Sequence, residues 1–418
     1  MSACAETVEI AVTPSGSKQR LPSPSRNIGL IFLILFCWAV ASIPQLAKYF
    51  HDLRLFLVFL TGALCIVVLV ASLRWILAKQ TDRISTMAFV TFWSVMVILY
   101  LFLYPLSQRH AVGSGSDAED ALRVAATQLM QFHYPYYGRT FAGNPITPLP
   151  GAVLLAVPFQ AVHRIGLQNI FWLAGFICFC AGFFRRRATA LAFLIVMTFA
   201  ALVSLDHFVV GGDYTVNLWY VCVASYLFVK AYDGNHRAWA GIAAGVLLGV
   251  TLSSRAVYPL VFIPLLTAYV RQHRNLLGAG LIMLNPLLVA TVITVPFYFY
   301  DRAHFSPLHI AQKLNFLPPR QADMALVLLT LVAISVACSG YFVRLTLARL
   351  FLIAGIASSS ILLTPGILLL FSDQSQERGL GVLSYANVPA TLIALWAFYQ
   401  LEAAVKCEPP LDQTPLVA

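Results

Sequence analysis

The apolar residues of this chain come in runs of about 16 to 24, and a helix needs about 20 such residues to cross roughly 30 Å of hydrocarbon. Hydrocarbon offers no partner to a backbone N–H or C=O, so a chain built of such runs folds as membrane helices that satisfy their own backbone. Composition agrees. Of 418 residues, 60% are hydrophobic and only 11% charged, where a soluble domain carries about a quarter charged residues. So little charge cannot cover a water-facing surface. A soluble enzyme, a disordered chain and an ordinary nucleic-acid binder are excluded, and the chain reads as an all-α polytopic membrane protein.

About twelve spanning helices (11–13) are expected, at about 28–46, 55–78, 84–106, 169–184, 188–208, 214–232, 237–252, 256–270, 276–299, 323–343, 350–371 and 381–401. Residues 1–26 read as a flexible cytoplasmic tail, 27–402 as the transmembrane domain and 403–418 as a second cytoplasmic tail. The first apolar run reads as an uncleaved span and not as a signal peptide. Residues 151–163 are apolar but short, which suits a re-entrant helix better than a span. That choice keeps Arg185, Arg186 and Arg187 on the same side as Lys79, Arg83, Arg237, Arg271, Arg274, Arg344 and Arg349. Basic residues in short loops mark the cytoplasmic side, so the net charge of +10 points to membrane topology and not to nucleic acid. The expected location is an inner or plasma membrane, multi-pass, with both termini cytoplasmic.

Eight cysteines (Cys4, Cys37, Cys65, Cys178, Cys180, Cys222, Cys338 and Cys407) show no C-x-x-C or Cys/His pattern. Neither a disulfide framework nor a zinc site is supported.

The polar chemistry gathers in loops assigned to the outside, above all in 107–168, the main extracytoplasmic loop with its re-entrant segment. Ser116 followed by Glu119 fits a capping box. Leu122, Ala125, Ala126 and Leu129 mark one face of an amphipathic helix, expected to lie along the membrane surface. The aromatic residues Phe132, Tyr134, Tyr136, Tyr137 and Phe141 follow, then Pro145, Pro148 and Pro150. Three acids open the helix. Glu119 suits the capping box, and Asp117 suits the positive helix end. Asp120 shares a face with Asp117. A capped, solvated helix start explains all three. Alternatively, Asp117 or Asp120 takes a proton from an acceptor hydroxyl, or the pair holds a divalent cation. No cofactor is fixed by the sequence, and the divalent cation stays open.

This stretch resembles the first extracytoplasmic loop of the GT-C superfamily of integral membrane glycosyltransferases. The parts that match are Asp117, the helix from Ala118 to Gln131, Tyr134-Pro135-Tyr136, and Asn144-Pro145-Ile146-Thr147-Pro148-Leu149-Pro150. The arrangement is most similar to the mannosyltransferase-like and arabinofuranosyltransferase-like branches. Asp206-His207 with Gly211-Gly212-Asp213 resembles the superfamily's later acid-bearing turn. The run from Gly241 to Pro264 with Ser254-Arg255 resembles its glycine-rich span, and Gln376-Glu377-Arg378 its closing loop. The resemblance implies a GT-C fold and an enzyme that moves a sugar from a polyprenyl-phosphate donor to a glycan, lipid or protein acceptor outside the membrane, with inversion.

A lipid phosphate leaves readily, so such an enzyme mainly needs to activate the acceptor oxygen with one well-placed carboxylate. Asp117 and Asp120 are the catalytic candidates. Tyr134, Tyr136, His207, Asp213, Arg255 and Arg378 are the candidates for holding substrate. Arg255, Lys313, Arg320 and Arg378 are cations available to the donor phosphate, and Arg255 leads because it sits between two short spans. A cavity open sideways to lipid, lined by Asp117, Asp120, Tyr136, His207 and Arg255, is expected. The competing class is a polytopic transporter or lipid flippase, which would place its charges at mid-membrane.

Overall fold

A computed structural model describes residues 24–49, 53–78, 84–108, 116–233, 238–273, 276–308, 319–342, 346–370 and 383–405. Fifteen α-helices and no strand occur among the described residues. They are α1 (Pro24–Tyr49), α2 (Leu53–Ala78), α3 (Thr86–Gln108), α4 (Asp117–Met130), α5 (Pro150–Ala161), α6 (Leu167–Phe183), α7 (Arg187–Phe199), α8 (Leu202–Val209), α9 (Asp213–Asp233), α10 (Ala238–Leu252), α11 (Pro259–His273), α12 (Leu276–Tyr300), α13 (Pro319–Cys338), α14 (Leu347–Leu370) and α15 (Asn387–Val405).

Among the described residues, five helices are long and apolar enough to cross a membrane. They are α1, α3, α12, α13 (with the turn that follows it) and α14, and a sixth span results if α7 and α8 are taken together. The other expected spans are helical too; α2 runs 26 residues, and several of the rest are shorter or more polar. α6 has 17 residues, while α10 and α11 have 15 each. α9 buries Asp213, Thr215, Asn217 and Ser225. The outward faces of α3, α12 and α13 are studded with exposed apolar side chains such as Phe102, Leu288 and Leu328, as lipid-facing helices require.

The structure breaks the expected span at 188–208. α7 stops at Phe199, and α8 sets off at 78° to it. Side chains of other helices take up the freed backbone groups. The Ser42 hydroxyl accepts the Val203 N–H (3.4 Å) just past the break, and the Asn169 amide donates to the Phe208 carbonyl (3.1 Å) at the far end of α8. Such side-chain rescue is what lets a helix break inside a membrane bundle.

The main core is a cluster of aromatic and aliphatic side chains from α1 to α3, α6 to α12, α14 and α15, with Trp38, Phe176, Phe193, Trp219 and Phe351 among its largest buried members. A second, separate cluster lies in the loop region. There Leu122, Ala125 and Ala126 of α4 pack with Val153 and Ala156 of α5, and with Tyr134, Tyr136, Ile146 and Phe305. The predicted apolar face of α4 is therefore correct, but what covers it is protein. α4 lies on α5, and Gln160 donates across to the Thr127 hydroxyl at 3.0 Å. α5 has 12 residues, about 18 Å of helix, short of the hydrocarbon thickness. It starts at Pro150, the favoured first position. Gly151 permits that start, because a Cβ there would lie 2.1 Å from the Val250 carbonyl oxygen.

α4 and α5 both end in Schellman turns. The His133 N–H bonds the Gln128 carbonyl, and the Arg164 N–H bonds the Phe159 carbonyl. The left-handed positions are occupied by Phe132 (φ 58°) and His163 (φ 53°) in place of the usual glycine.

Candidate functional site

Arg255 is the centre of the polar structure at one end of the bundle. Ser253, Ser254 and Arg255 form the corner between α10 and α11, and all three are buried. The Arg255 guanidinium pairs with Asp213 Oδ2, donates to the Thr147 hydroxyl (2.9 Å), and lies over the Tyr214 ring at 4.4 Å. Asp213 opens α9, where the helix dipole favours a carboxylate. The Asn217 amide also donates to Asp213 Oδ2, at 3.1 Å. Two buried atoms of this pair, Asp213 Oδ1 and Arg255 Nε, have no hydrogen-bond partner. Orphaned polar atoms in a buried site mark a place where another group can bind.

A cavity of about 450 Å³ opens beside this pair. Arg255, Tyr214, Thr147 and Tyr385 form its polar end, while Leu260, Ile263, Leu326, Ile334, Leu362 and Val388 from α11, α13, α14 and α15 form its apolar walls. One end can meet an anion and the rest can meet hydrocarbon.

His207 belongs to an adjoining network. Its ring packs against Tyr214 at 5.9 Å, and its Nδ1 lies 3.2 Å from the Thr215 hydroxyl. Asn387 donates to the same hydroxyl at 2.7 Å and accepts from Ser204 at 3.1 Å. α8, α9 and α15 are thus tied together by polar side chains inside the bundle.

The three acids of α4 have separate fates. The Ser116 hydroxyl accepts the Glu119 N–H at 3.3 Å, which is half of the predicted capping box. The Glu119 side chain does not supply the other half. It is buried, accepting from the Tyr104 hydroxyl and from Gln108 at 2.6 Å. Burial pushes its carboxyl up to about 7. Gly211, at φ 78°, makes room for it, since a Cβ there would lie 2.5 Å from Glu119 Oε2. Asp120 is taken on both oxygens, by Arg123 on Oδ1 and by the Phe141 N–H (2.6 Å) on Oδ2. Asp117 accepts from Asn144 at 3.0 Å through Oδ2, and its Oδ1 has no partner. Of the three, only Asp117 keeps an uncommitted oxygen.

The Pro-rich segment joins the two halves. Asn144 holds Asp117 and Thr147 holds Arg255, and three residues of chain span at most about 10 Å. The segment is fixed to the Arg255 corner by the Leu149 N–H on the Ser254 carbonyl (3.0 Å) and the Gly151 N–H on the Ser253 carbonyl (2.7 Å). Ser306 and Tyr136 hold it from outside through the carbonyls of Ile146 and Pro148.

Of the sequence candidates, Arg255, Asp213 and His207 come together. Among the described candidates only Arg255 is on the cavity wall; Asp117, Asp120, Tyr136 and His207, expected there too, are not. Tyr134 and Tyr136 are buried, and their hydroxyls bond the main-chain carbonyls of Phe297 and Pro148. They pin the loop to the end of α12. Arg320 is exposed at the start of α13. Arg378 and Lys313 lie outside the described residues. No group of three His, Cys, Asp or Glu side chains suited to a metal ion occurs among the described residues. Sequence reasoning assigned no individual role to Thr147, Tyr214, Tyr385 or Asn387. Asn387 had a legible signal, an amide at the head of an apolar helix. The other three had none. The chain matches no protein-family profile, no characterised protein and no solved structure.

Proposed function

We propose that this protein is a membrane glycosyltransferase of GT-C type, with twelve spans and its site facing outside the membrane. It moves a sugar from a polyprenyl-phosphate donor to a glycan, lipid or protein acceptor. The observation that carries this reading is the buried Arg255 at the polar end of an otherwise apolar cavity. A polyprenyl-phosphate sugar has the matching shape: an apolar chain ending in one anion. Arg255 Nε and the guanidinium edge on Thr147 would bind the phosphate, with Asp213 keeping the guanidinium oriented. Asp117 would take the acceptor proton through its uncommitted oxygen while the acceptor oxygen attacks the anomeric carbon and the lipid phosphate leaves. Asp120 holds the loop. His207, Tyr134 and Tyr136 support the site from behind.

Binding tests this directly. A fluorescent polyprenyl-phosphate sugar should bind the purified protein and bind Arg255→Met at least about tenfold more weakly. Equal binding to both removes Arg255 from the donor site.

A second reading, a transporter or lipid flippase, draws on the 78° break between α7 and α8 beside a buried polar network, because transporters place broken helices at their substrate sites. It predicts movement of an intact lipid-linked sugar across a vesicle bilayer, with no sugar released from its phosphate.

A further inference from the structure

A second cavity, about 540 Å³, lies at the opposite end of the bundle from Arg255. It is bounded by the last turns of α6, α9, α11 and α15 and the first turn of α14. On α9 the two cavities are reached by Tyr214 and Lys230. These are 16 residues apart, about 24 Å along the helix, and Tyr226, the α9 residue of the second cavity nearest to Tyr214, is still about 18 Å from it. The separation excludes one ligand head serving both.

The lining has a definite chemistry. Arg185 and Lys230 supply two positive charges, and Tyr226, Tyr269, Tyr399 and Thr346 supply hydroxyls. The Arg185 guanidinium lies over the Tyr399 ring at 5.8 Å, and the Lys230 ammonium over the Tyr226 ring at 5.8 Å. Neither cation has a carboxylate partner among the described side chains. Glu402 takes the Arg185 backbone N–H at 3.1 Å through Oε2 and makes no ion pair with the guanidinium. Phe183, Leu265 and Leu350 complete the wall. Two cations held over aromatic rings, beside hydroxyl donors and apolar side chains, suit a phosphate carried on a hydrocarbon tail. Arg186, Arg187, Arg271 and Arg349 lie at this same end, where an anionic leaflet would meet the protein.

We propose that this cavity binds the phosphate headgroup of an anionic membrane lipid, as a site separate from the Arg255 cavity. A free phosphate shares the headgroup chemistry but lacks the tail that the apolar wall would hold.

The test uses the full chain in detergent, with lipid binding followed by native mass spectrometry and by the shift in unfolding midpoint. Phosphatidylglycerol should bind and raise the midpoint. Phosphatidylcholine and inorganic phosphate should do neither. Arg185→Gln with Lys230→Gln should weaken phosphatidylglycerol binding by at least about tenfold, the loss expected when charge-assisted contacts are removed. Arg186→Gln with Arg187→Gln makes the same change in net charge at positions off the cavity wall, and should bind as the parent does. Should the first double variant fail to fold, Lys230→Gln alone, an exposed position, should still weaken binding severalfold. Equal loss in both double variants, no loss in either, or protection by phosphate in place of the lipid overturns the proposal.

Discussion

Arg255 and Asp213 form a buried ion pair that ties the corner before α11 to the first turn of α9. The pair excludes water from two charges at once, so each residue depends on the other. Asp213→Asn leaves a buried cation without its counterion and should cost about 3–5 kcal/mol. Asp213→Asn combined with Arg255→Met should recover part of that loss, because no uncompensated charge remains. Unfolding midpoints in detergent measure both. A double variant less stable than either single one contradicts the assignment.

Glu119 gives the fold a pH dependence. Its carboxyl is raised from 4.5 to about 7 by burial, so the folded state favours the protonated form. That contribution is complete below about pH 4.5 and fades as pH rises through about 7, with a total on the order of 3 kcal/mol. Glu119→Gln keeps a neutral side chain and should flatten this part of the stability profile. An unchanged slope between pH 5 and 8 would falsify the assignment.

Gly151 should tolerate no side chain. The Cβ of Gly151→Ala would press on the carbonyl oxygens of Val250 (2.1 Å) and Ser253 (2.6 Å), which are backbone atoms and cannot swing away. The substitution should cost at least about 2 kcal/mol. It should also release the Pro-rich segment from the Arg255 corner, which faster amide exchange at Leu149 and Gly151 would report.

The helical architecture was legible in the sequence because lipid imposes a length and a composition on each span, and runs such as 86–108 and 347–367 meet both. The broken helix at Phe199 was not legible, because the partner of the Val203 N–H just past the break is Ser42, distant in sequence. The face of α4 was predicted from its spacing, but spacing says only that Leu122 is covered, not that α5 covers it. Arg255 stood out as a charge with little loop around it. Glu119 was read as a local cap because the capping-box pattern is local, whereas Tyr104 and Gln108 claim its side chain from α3. Thr147 and Tyr214 carried no signal, since their role depends on where the Pro-rich segment meets the α10–α11 corner.

The expected topology rests on the basic residues of the short loops lying on the cytoplasmic side. Reporter fusions after Lys18, Arg186 and Cys407 should all report cytoplasm, and one at Gly143 the outside. Arg186 and Gly143 reporting the same compartment contradicts the re-entrant reading of α5.

The central claim is that Asp117 activates the acceptor in a sugar transfer from a polyprenyl-phosphate donor. The most direct measurement is transfer of radiolabelled sugar from that donor to membrane acceptors, comparing the parent chain with Asp117→Asn, Asp120→Asn and Glu119→Gln. Asp117→Asn should lose about 10²–10⁴-fold in rate, the usual cost of a missing general base, while folding and donor binding persist. Asp120→Asn should lose less, through a loosened Phe141 turn, and Glu119→Gln should be mild. Full transfer by all three variants, or a dead Glu119→Gln beside an active Asp117→Asn, contradicts the claim.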